Sequence, residues 1–178
     1  MNYLLQDIGR YAKPGRSKWS NILFNPPCRF MFTLRACQLF SKWNPLGILF
    51  RLWNKNLQVK YGYQFQYTCK IGKGLYMPHY GNIIINNKVV IGENCNIAQG
   101  VTLGNVKRGK KEGNPTIGNR VAIGANAVVI GKINIGNDVL IAPLSFVNFD
   151  VPDRAVVAGN PASILHYNSS EGYVENLV

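Results

Sequence analysis

Aliphatic residues recur at every sixth position through the C-terminal half of the chain. A second small or branched residue follows four positions after each of them, and glycine often comes directly after the aliphatic. The first set comprises Ile117, Ile123, Val129, Ile135, Ile141 and Val147, and the second comprises Val121, Ala127, Ile133, Val139, Ser145 and Val151. The phase extends upstream through Ile91, Ile97 and Leu103. Ile71 and Met77 begin the series, with a slip of two residues near Val89.

A period of six matches neither an α-helix nor the two-residue alternation of an ordinary strand. It matches a short strand followed by a turn, with one aliphatic side chain per unit pointing into a core. Three units make one triangular coil, and stacked coils bury an apolar column that no single repeat could bury. The pattern therefore predicts a mainly β protein, a parallel β-helix. The alternative is a glycine-rich sandwich in which Ile-Gly pairs recur by chance, and six consecutive units in phase argue against it.

The first 63 residues lack this period. Phe30, Leu34, Cys37 and Phe40 fall at helical spacing, and the break at 45–47 predicts two short helices. We therefore divide the chain into a helical N-terminal region (1–63), a β-helix domain (64–165) with a loop extruded at 104–116, and a C-terminal tail (166–178).

Charge is concentrated in the N-terminal region. Residues 1–60 contain ten basic side chains and one acid, Asp7, whereas the rest of the chain carries a net charge of only +3 of the total +12. Basic residues beside Trp19, Trp43 and Trp53 are typical of a segment that rests on an anionic membrane. Packing of these aromatics on the β-helix and on neighbouring subunits is the interpretation we favour. No motif for nucleic-acid binding accompanies the charge.

Composition narrows the class of protein. With 47% apolar and 16% charged residues in a chain of 178, a folded domain with a sizeable core is expected. The four cysteines form no CxxC pair and no zinc-ligand pattern, so we expect no metal site. No signal peptide and no apolar run of about 20 residues is present, which favours a cytoplasmic protein with free thiols.

Three stretches resemble the hexapeptide-repeat acyltransferases, and most closely their serine acetyltransferase-like branch, the type that includes polysaccharide O-acetyltransferases. They read KIGKGLYMPH at 70–79, IGENCNIAQGVTLG at 91–104 and VVAGNPA at 156–162. The resemblance covers about residues 64–165. It implies a left-handed β-helix, acetyl-CoA as co-substrate, a homotrimer with active sites between subunits, and CoA lying along the coils.

His79 is the candidate general base. The only other histidine in the sequence, His166, follows the last repeat. A hydroxyl is a poor nucleophile, and a neutral imidazole can take its proton near neutral pH. The resemblance implies direct transfer without an acyl-enzyme, so no cysteine needs to be a nucleophile, and Cys95 is interpreted as a core residue. The alternative is a histidine that caps a turn.

The sequence departs from the serine enzymes around this histidine. In those enzymes an acid precedes the histidine and another lies fifteen residues before it, where this chain has Pro78 and Gln64. Their loop carries Arg-His-Pro, where this chain has Gly113, Asn114 and Pro115. Gln64 and Asn114 are therefore candidate partners of His79 in catalysis.

These departures indicate a neutral hydroxyl acceptor on a sugar or glycan. The chain lacks the acids that would bind an ammonium group and the arginine that would hold a carboxylate through two hydrogen bonds. L-serine acetylation is the alternative with the same chemistry. A non-catalytic β-helix, acting as a scaffold or a membrane-associated binding module, is the alternative of another class.

Small residues on the coils are the candidate CoA-binding positions that the resemblance implies: Gly104, Ala125, Ala142 and Pro161. Each of them alone is equally compatible with a turn that the fold requires. The loop 104–116 also carries four cations, Lys107, Arg108, Lys110 and Lys111. These either attract the CoA phosphates or an anionic acceptor, or keep a solvated loop soluble.

Overall fold

The chain folds into a left-handed parallel β-helix with four helices at its N-terminal end. The structure is a computed structural model, and it describes residues 2–11 and 19–178. The predicted fold class, mainly β with a helical N-terminal region, is confirmed. None of the helices in residues 2–11 and 19–178 combines the length and the hydropathy that a bilayer-spanning segment needs.

Three sheets form the faces of a triangular prism. Sheet 1 contains β1 (Tyr63–Gln64), β3 (Ile83–Ile85), β6 (Thr102–Gly104), β9 (Val128–Ile130) and β12 (Phe146–Val147). Sheet 2 contains β2 (Lys70–Ile71), β4 (Val90–Ile91), β7 (Thr116–Ile117) and β10 (Asn134–Ile135). Sheet 3 contains β5 (Asn96–Ile97), β8 (Ala122–Ile123), β11 (Leu140–Ile141), β13 (Val156–Gly159) and β14 (Ala162–His166).

The six-residue period is the inward-facing pattern of these coils. All twelve side chains of the two predicted sets are at most 2% exposed. Strands pair in parallel, rung above rung, except that β14 folds back antiparallel on β13. Cys95 is fully buried in the same column, as its repeat position predicted.

The two-residue slip lies elsewhere than predicted. Tyr63 pairs with Ile83, twenty residues on, whereas Ile84 pairs with Thr102, eighteen residues on. Tyr76 bridges Asn96, again twenty residues away. The two extra residues therefore lie between positions 76 and 83, in the corner that carries His79, and the prediction of a slip near Val89 was wrong. The prediction failed because residues 83–85 and 89–91 are all apolar, so hydrophobicity alone does not show which of them face the core.

Four helices occupy the described part of the N-terminal region: α1 (Asn2–Arg10), α2 (Ser20–Phe24), α3 (Pro26–Leu39) and α4 (Pro45–Tyr61). The prediction of two short helices was wrong, since α3 has 14 residues and α4 has 17. Residues 45–47, where the sequence suggested a break, are the first residues of α4. Pro45 occupies the first turn of α4, where its missing N–H costs nothing, and Asn44 caps it by accepting a hydrogen bond from Leu46 N at 2.9 Å.

Aromatic packing and one buried ion pair join the helices to the first coil. The Phe30 ring lies 4.7 Å from that of Tyr63 and 5.0 Å from that of Phe65. The Arg35 Nε donates to Asp7 Oδ2 at 2.7 Å and Arg35 Nη1 to the Ile71 carbonyl at 2.9 Å. Both side chains of the pair are almost fully buried. These contacts fix the position of the first coil, which ends in the His79 corner.

Candidate active site

His79 lies in the widened corner between sheets 3 and 1. Its side chain is exposed, while the backbone around it is anchored: Tyr63 Oη donates to the His79 carbonyl at 3.4 Å, and Gly81 N donates to the Tyr61 carbonyl at 3.0 Å. Gly81 has φ 149°, and a Cβ there would lie 3.2 Å from Gln99 Cβ. Among the residues that the structure describes, none forms a hydrogen bond with the His79 imidazole. The ring is thus held at the surface with both nitrogens open to a ligand.

Gln64 lies on the outer face of sheet 1, one rung below Ile84. Its exposed side chain lines a cleft of about 750 Å³ together with Lys55, Gln58 and Asn86. No hydrogen bond joins Gln64 to His79 in the described part of the chain. A role for Gln64 in orienting the imidazole stays a prediction.

The edge above His79 is formed by the equivalent corners of the following coils. Gly100 N donates to the Asn82 carbonyl at 2.7 Å, Asn126 N to Gln99 at 3.0 Å and Leu144 N to Ala125 at 2.9 Å. Ala125 and Ala142 therefore belong to the same edge of the prism as His79. We call it the histidine edge, comprising residues 78–82, 98–100, 124–126 and 142–144.

An apolar groove of about 250 Å³ runs beside the histidine edge on the outer face of sheet 3. Small residues and two prolines form most of it: Pro78, Ala98, Ala122, Gly124, Ala142 and Pro143. A Cβ on Gly124 would come within 2.5 Å of Pro143 N, so the coil-to-coil stacking excludes a side chain there. Pro161 lies beyond the groove, in the turn between β13 and β14. The groove begins next to His79 and follows the helix axis.

Tyr173 and Asn96, which the repeat pattern did not predict as site residues, also line this groove. The segment after β14 descends along the coils, with Ser170 N donating to the Asp138 carbonyl at 2.8 Å and Asn96 Nδ2 donating to the Tyr173 carbonyl at 2.5 Å. The segment that makes these contacts lies after the last repeat, so a period in the sequence could not have revealed them.

Gly104 and Asn114 lie on a different edge, between sheets 1 and 2. The extruded loop there is a small hairpin in which Val106 and Gly113 exchange backbone hydrogen bonds of 3.0 and 2.9 Å. The loop adds eight residues to its coil, since Val90 pairs with Thr116, 26 residues on, whereas a regular coil takes eighteen. We call this the loop edge, comprising residues 86–88, 104–115 and 131–132. In a single chain the width of sheet 1 separates it from His79.

A cleft of about 530 Å³ opens at the loop edge. Four amide side chains line it, those of Asn86, Asn87, Asn105 and Asn114, together with Lys88, Lys107 and Glu112. The Asn114 Oδ1 is buried there without a hydrogen-bond partner among the described residues. A buried acceptor without a donor is costly, and a ligand hydroxyl could supply the donor. Of the loop cations, Lys111 donates to the Asn148 carbonyl, whereas Lys107, Arg108 and Lys110 are exposed.

The cysteines have the environment of core residues. All four are free and buried. Burial raises the pKa of Cys28 to about 12 and that of Cys95 to about 11, and it raises the pKa of Cys37 and Cys69 as well. A thiol held neutral in this way is a poor nucleophile. No group of three or more His, Cys, Asp or Glu side chains that could hold a metal ion occurs within residues 2–11 and 19–178.

Comparison with known proteins gives the chain its family, although no family model matches it. The putative colanic acid biosynthesis acetyltransferase WcaB of Escherichia coli is 34% identical over 146 residues, covering 78% of this chain and 90% of that protein. Serine acetyltransferase 4 of Arabidopsis thaliana is 35% identical over 107 residues. The chain spans about a third of the length of such plant relatives, 30% of this one.

Solved structures agree with this result. A serine acetyltransferase of Brucella abortus, crystallised in complex with coenzyme A, superposes with a TM-score of 0.78 at 25% identity, covering 94% of this chain and 68% of that one. The similarity to WcaB extends over most of both chains, and the fold and the motifs agree with it. The chain therefore belongs to the hexapeptide-repeat acyltransferases, in their serine acetyltransferase-like branch.

Proposed function

We propose that this chain transfers an acetyl group from acetyl-CoA to a hydroxyl of a sugar or surface-glycan precursor. The observation that carries the proposal is the position of His79. Its exposed side chain directly follows Pro78, which lines an apolar groove of small residues, and it lies in the corner that contains the two extra residues.

In the proposed reaction, the His79 imidazole accepts the proton of the acceptor hydroxyl. The oxygen attacks the thioester carbonyl carbon, the C–S bond breaks as the tetrahedral oxyanion collapses, and the imidazolium returns its proton to the CoA sulfur. The acetyl group passes directly between the two substrates. The neutral, buried cysteines support a route without an acyl-enzyme.

The groove on sheet 3 suits the pantetheine arm of acetyl-CoA. Ala122, Gly124 and Ala142 present backbone and methyl groups rather than bulky side chains, so a narrow chain can lie against the coils. In the trimer proposed below, the exposed Lys107, Arg108 and Lys110 of a neighbouring subunit's loop edge would meet the CoA phosphates. Ala125, Gly104 and Pro161 are the further positions that we assign to CoA binding.

The acceptor is proposed to be a neutral hydroxyl compound. Pro78, Gln64 and Gly113 provide neither an acid for an ammonium group nor an arginine for a carboxylate. The amide-lined cleft at the loop edge offers donors and acceptors of the kind that sugar hydroxyls need, and Asn114 Oδ1 is one acceptor that is still unsatisfied. L-serine is the competing acceptor, which the names of several relatives favour.

A homotrimer would bring the two edges together, His79 from one subunit facing Asn114 of the next. The outer face of sheet 1, which lies between the edges, supports such packing. Ile84, Val128 and Phe146 stack there with Thr102 as a half-exposed, mainly apolar column. Contiguous apolar surface of this kind marks interfaces. The free thiols suit the cytoplasm, where we place the enzyme.

The acceptor is tested by incubating the purified protein with acetyl-CoA and a panel of acceptors, following CoA release and identifying the product by mass spectrometry. We expect acetylated saccharide and little release with L-serine. Faster release with L-serine than with every saccharide would overturn the choice of acceptor. If no acceptor in the panel, L-serine included, gave faster CoA release than a boiled control, the result would favour the non-catalytic scaffold.

The shared site is tested by mixing two inactive variants. His79→Ala removes the base from the histidine edge, and Asn114→Trp fills the cleft at the loop edge. Random reassembly of the two into trimers restores about a quarter of the sites, because one pairing of edges in four is intact on both sides. Recovery of activity after mixing is expected, and no recovery despite demonstrated subunit exchange would contradict a site between subunits.

A further inference from the structure

The helices α3 and α4 and the connection between them expose several large apolar side chains to solvent. We call this set of side chains the elbow surface, and it comprises Leu39, Trp43, Leu46, Leu49, Leu52 and Trp53. Trp43, in the connection between the two helices, is 81% exposed. Large apolar side chains clustered in this number on one surface indicate a contact with something outside the chain.

Aromatic rings hold the elbow surface in place from beneath. Phe40 and Phe50 stack with their centroids 5.6 Å apart, and the Trp53 ring lies 6.2 Å from that of Phe50. Arg51 Nη2 donates to the Phe40 carbonyl at 2.9 Å and so ties α4 to the end of α3. The apolar side chains of the elbow surface therefore project from a well-packed junction between α3 and α4.

The charges around the elbow surface are all positive. Lys42 and Lys55 are exposed within three residues of this surface in the sequence, and the Lys42 ammonium lies 5.2 Å above the Trp43 ring. Asp7 is the only acid within residues 1–92, and it is buried against Arg35. No carboxylate in the described N-terminal region therefore reaches solvent to neutralise these lysines.

We propose that the elbow surface docks on an anionic lipid surface. Exposed Trp and Leu side chains fit the boundary between headgroups and acyl chains, and flanking lysines fit the lipid phosphates. A second copy of the same surface is a poor occupant, because it would bring lysines against lysines. The apolar side chains insert below the headgroups, and the positive charge around them makes the surface prefer anionic lipids.

Docking in this way relates the membrane to the candidate active site. α4 is about 25 Å long at 1.5 Å per residue. Its N-terminal half carries most of the elbow surface, and its last residue, Tyr61, places its ring 5.9 Å from that of Tyr80, next to His79. The His79 corner thus lies about one helix length from the lipid. Resting on the proposed function, this arrangement suits an acceptor that is itself held at the membrane.

Vesicle flotation of the whole protein tests the proposal. We expect it to float with vesicles of equal parts phosphatidylglycerol and phosphatidylcholine at low salt, and to remain below with phosphatidylcholine alone. The triple variant Trp43→Ser, Leu46→Ser, Leu49→Ser should lose at least tenfold in partitioning. The double variant Lys42→Glu, Lys55→Glu should lose a similar factor, and its remaining binding should respond less to salt than that of the wild type.

Matched substitutions elsewhere serve as controls, since Tyr167→Ser removes an exposed ring and Arg154→Glu reverses an exposed charge in the last coil, whereas α4 packs on the first. Flotation of the triple variant equal to that of the Tyr167→Ser control would overturn the proposal, as would absence of binding to anionic vesicles. A lower oligomeric mass for the triple variant in sedimentation would assign the surface to contacts between copies instead. The assay uses no acetyl-CoA, so its outcome is independent of the acceptor test.

Discussion

The β-helix and the N-terminal helices bury their apolar residues in two different ways. In the β-helix each coil contributes the same few inward positions, filled mostly by Ile, Val or a small residue, so the rungs make similar contacts with their neighbours. In the helical region the contacts are individual, such as Phe30 against Tyr63 and Asp7 against Arg35. Because its contacts repeat, the β-helix can be recognised from the sequence, and a small defect in one rung leaves the contacts of the other rungs in place. The helical region depends on single contacts, and it leaves large apolar side chains exposed.

The largest loss of stability is expected where the two regions are joined. Asp7→Ala leaves the Arg35 guanidinium buried without its carboxylate, together with a Gly74 N–H that donates to Asp7 Oδ1 at 2.6 Å. Removing one partner of a buried ion pair costs about 3–5 kcal/mol. Urea unfolding measures this, with Glu93→Ala as control, because Glu93 pairs with Lys73 at the surface. Equal midpoints for the two variants would show that α1 is not held by this pair.

A smaller loss is expected from a single rung of the β-helix. Ile123 is 2% exposed, and Ile123→Ala leaves a cavity in the column that should cost about 2–5 kcal/mol. Leu49→Ala, on the elbow surface, is the matched control and should change stability by no more than about 0.5 kcal/mol. Thermal unfolding compares them. If the exposed leucine proved as costly as the buried isoleucine, the two regions would not differ in the way that we describe.

The smallest loss is expected at the corner between sheets 2 and 3. Arg120 donates hydrogen bonds of 2.6 and 2.7 Å to Asp138, which lowers the pKa of that carboxyl. The pair is partly exposed, so Asp138→Asn should cost roughly 0.2–1 kcal/mol. Because the folded pKa is below the unfolded one, this contribution is present above the unfolded pKa of about 3.9 and is lost as the pH falls through the folded pKa. Unfolding free energies of the two proteins at neutral and acidic pH should therefore converge on acidification.

The sequence predicts the regular part of the molecule and fails where regularity ends. The inward positions, the length of the extruded loop and the buried state of Cys95 follow from a period of six. The slip could not be located, because residues such as Ile84 and Val90 are apolar and yet face outward. The length of α4 was missed because Gly47 and Pro45 usually interrupt helices, whereas here Pro45 begins one and Gly47 packs against Ser41.

The candidate site was predictable only in part for a related reason. A histidine in a recognisable stretch makes His79 a candidate, small repeat residues make Ala142 another, and both stay predictions. The separation of Gln64 and Asn114 from the imidazole depends on which corner of the prism each occupies. Their positions relative to the imidazole depend on the phase of the coils and, in our proposal, on a neighbouring subunit. Neither can be predicted from the residues next to them in the sequence.

The most direct test compares acetyl transfer by the wild-type protein with that by His79→Ala. We predict that kcat/KM falls roughly 10²- to 10⁴-fold, the range that a lost general base accounts for, while the circular dichroism spectrum and the oligomeric mass stay unchanged. His166→Ala, at the other histidine of the chain, should retain full activity. Transfer by His79→Ala within about twofold of the wild type would contradict the assignment of His79 as the base.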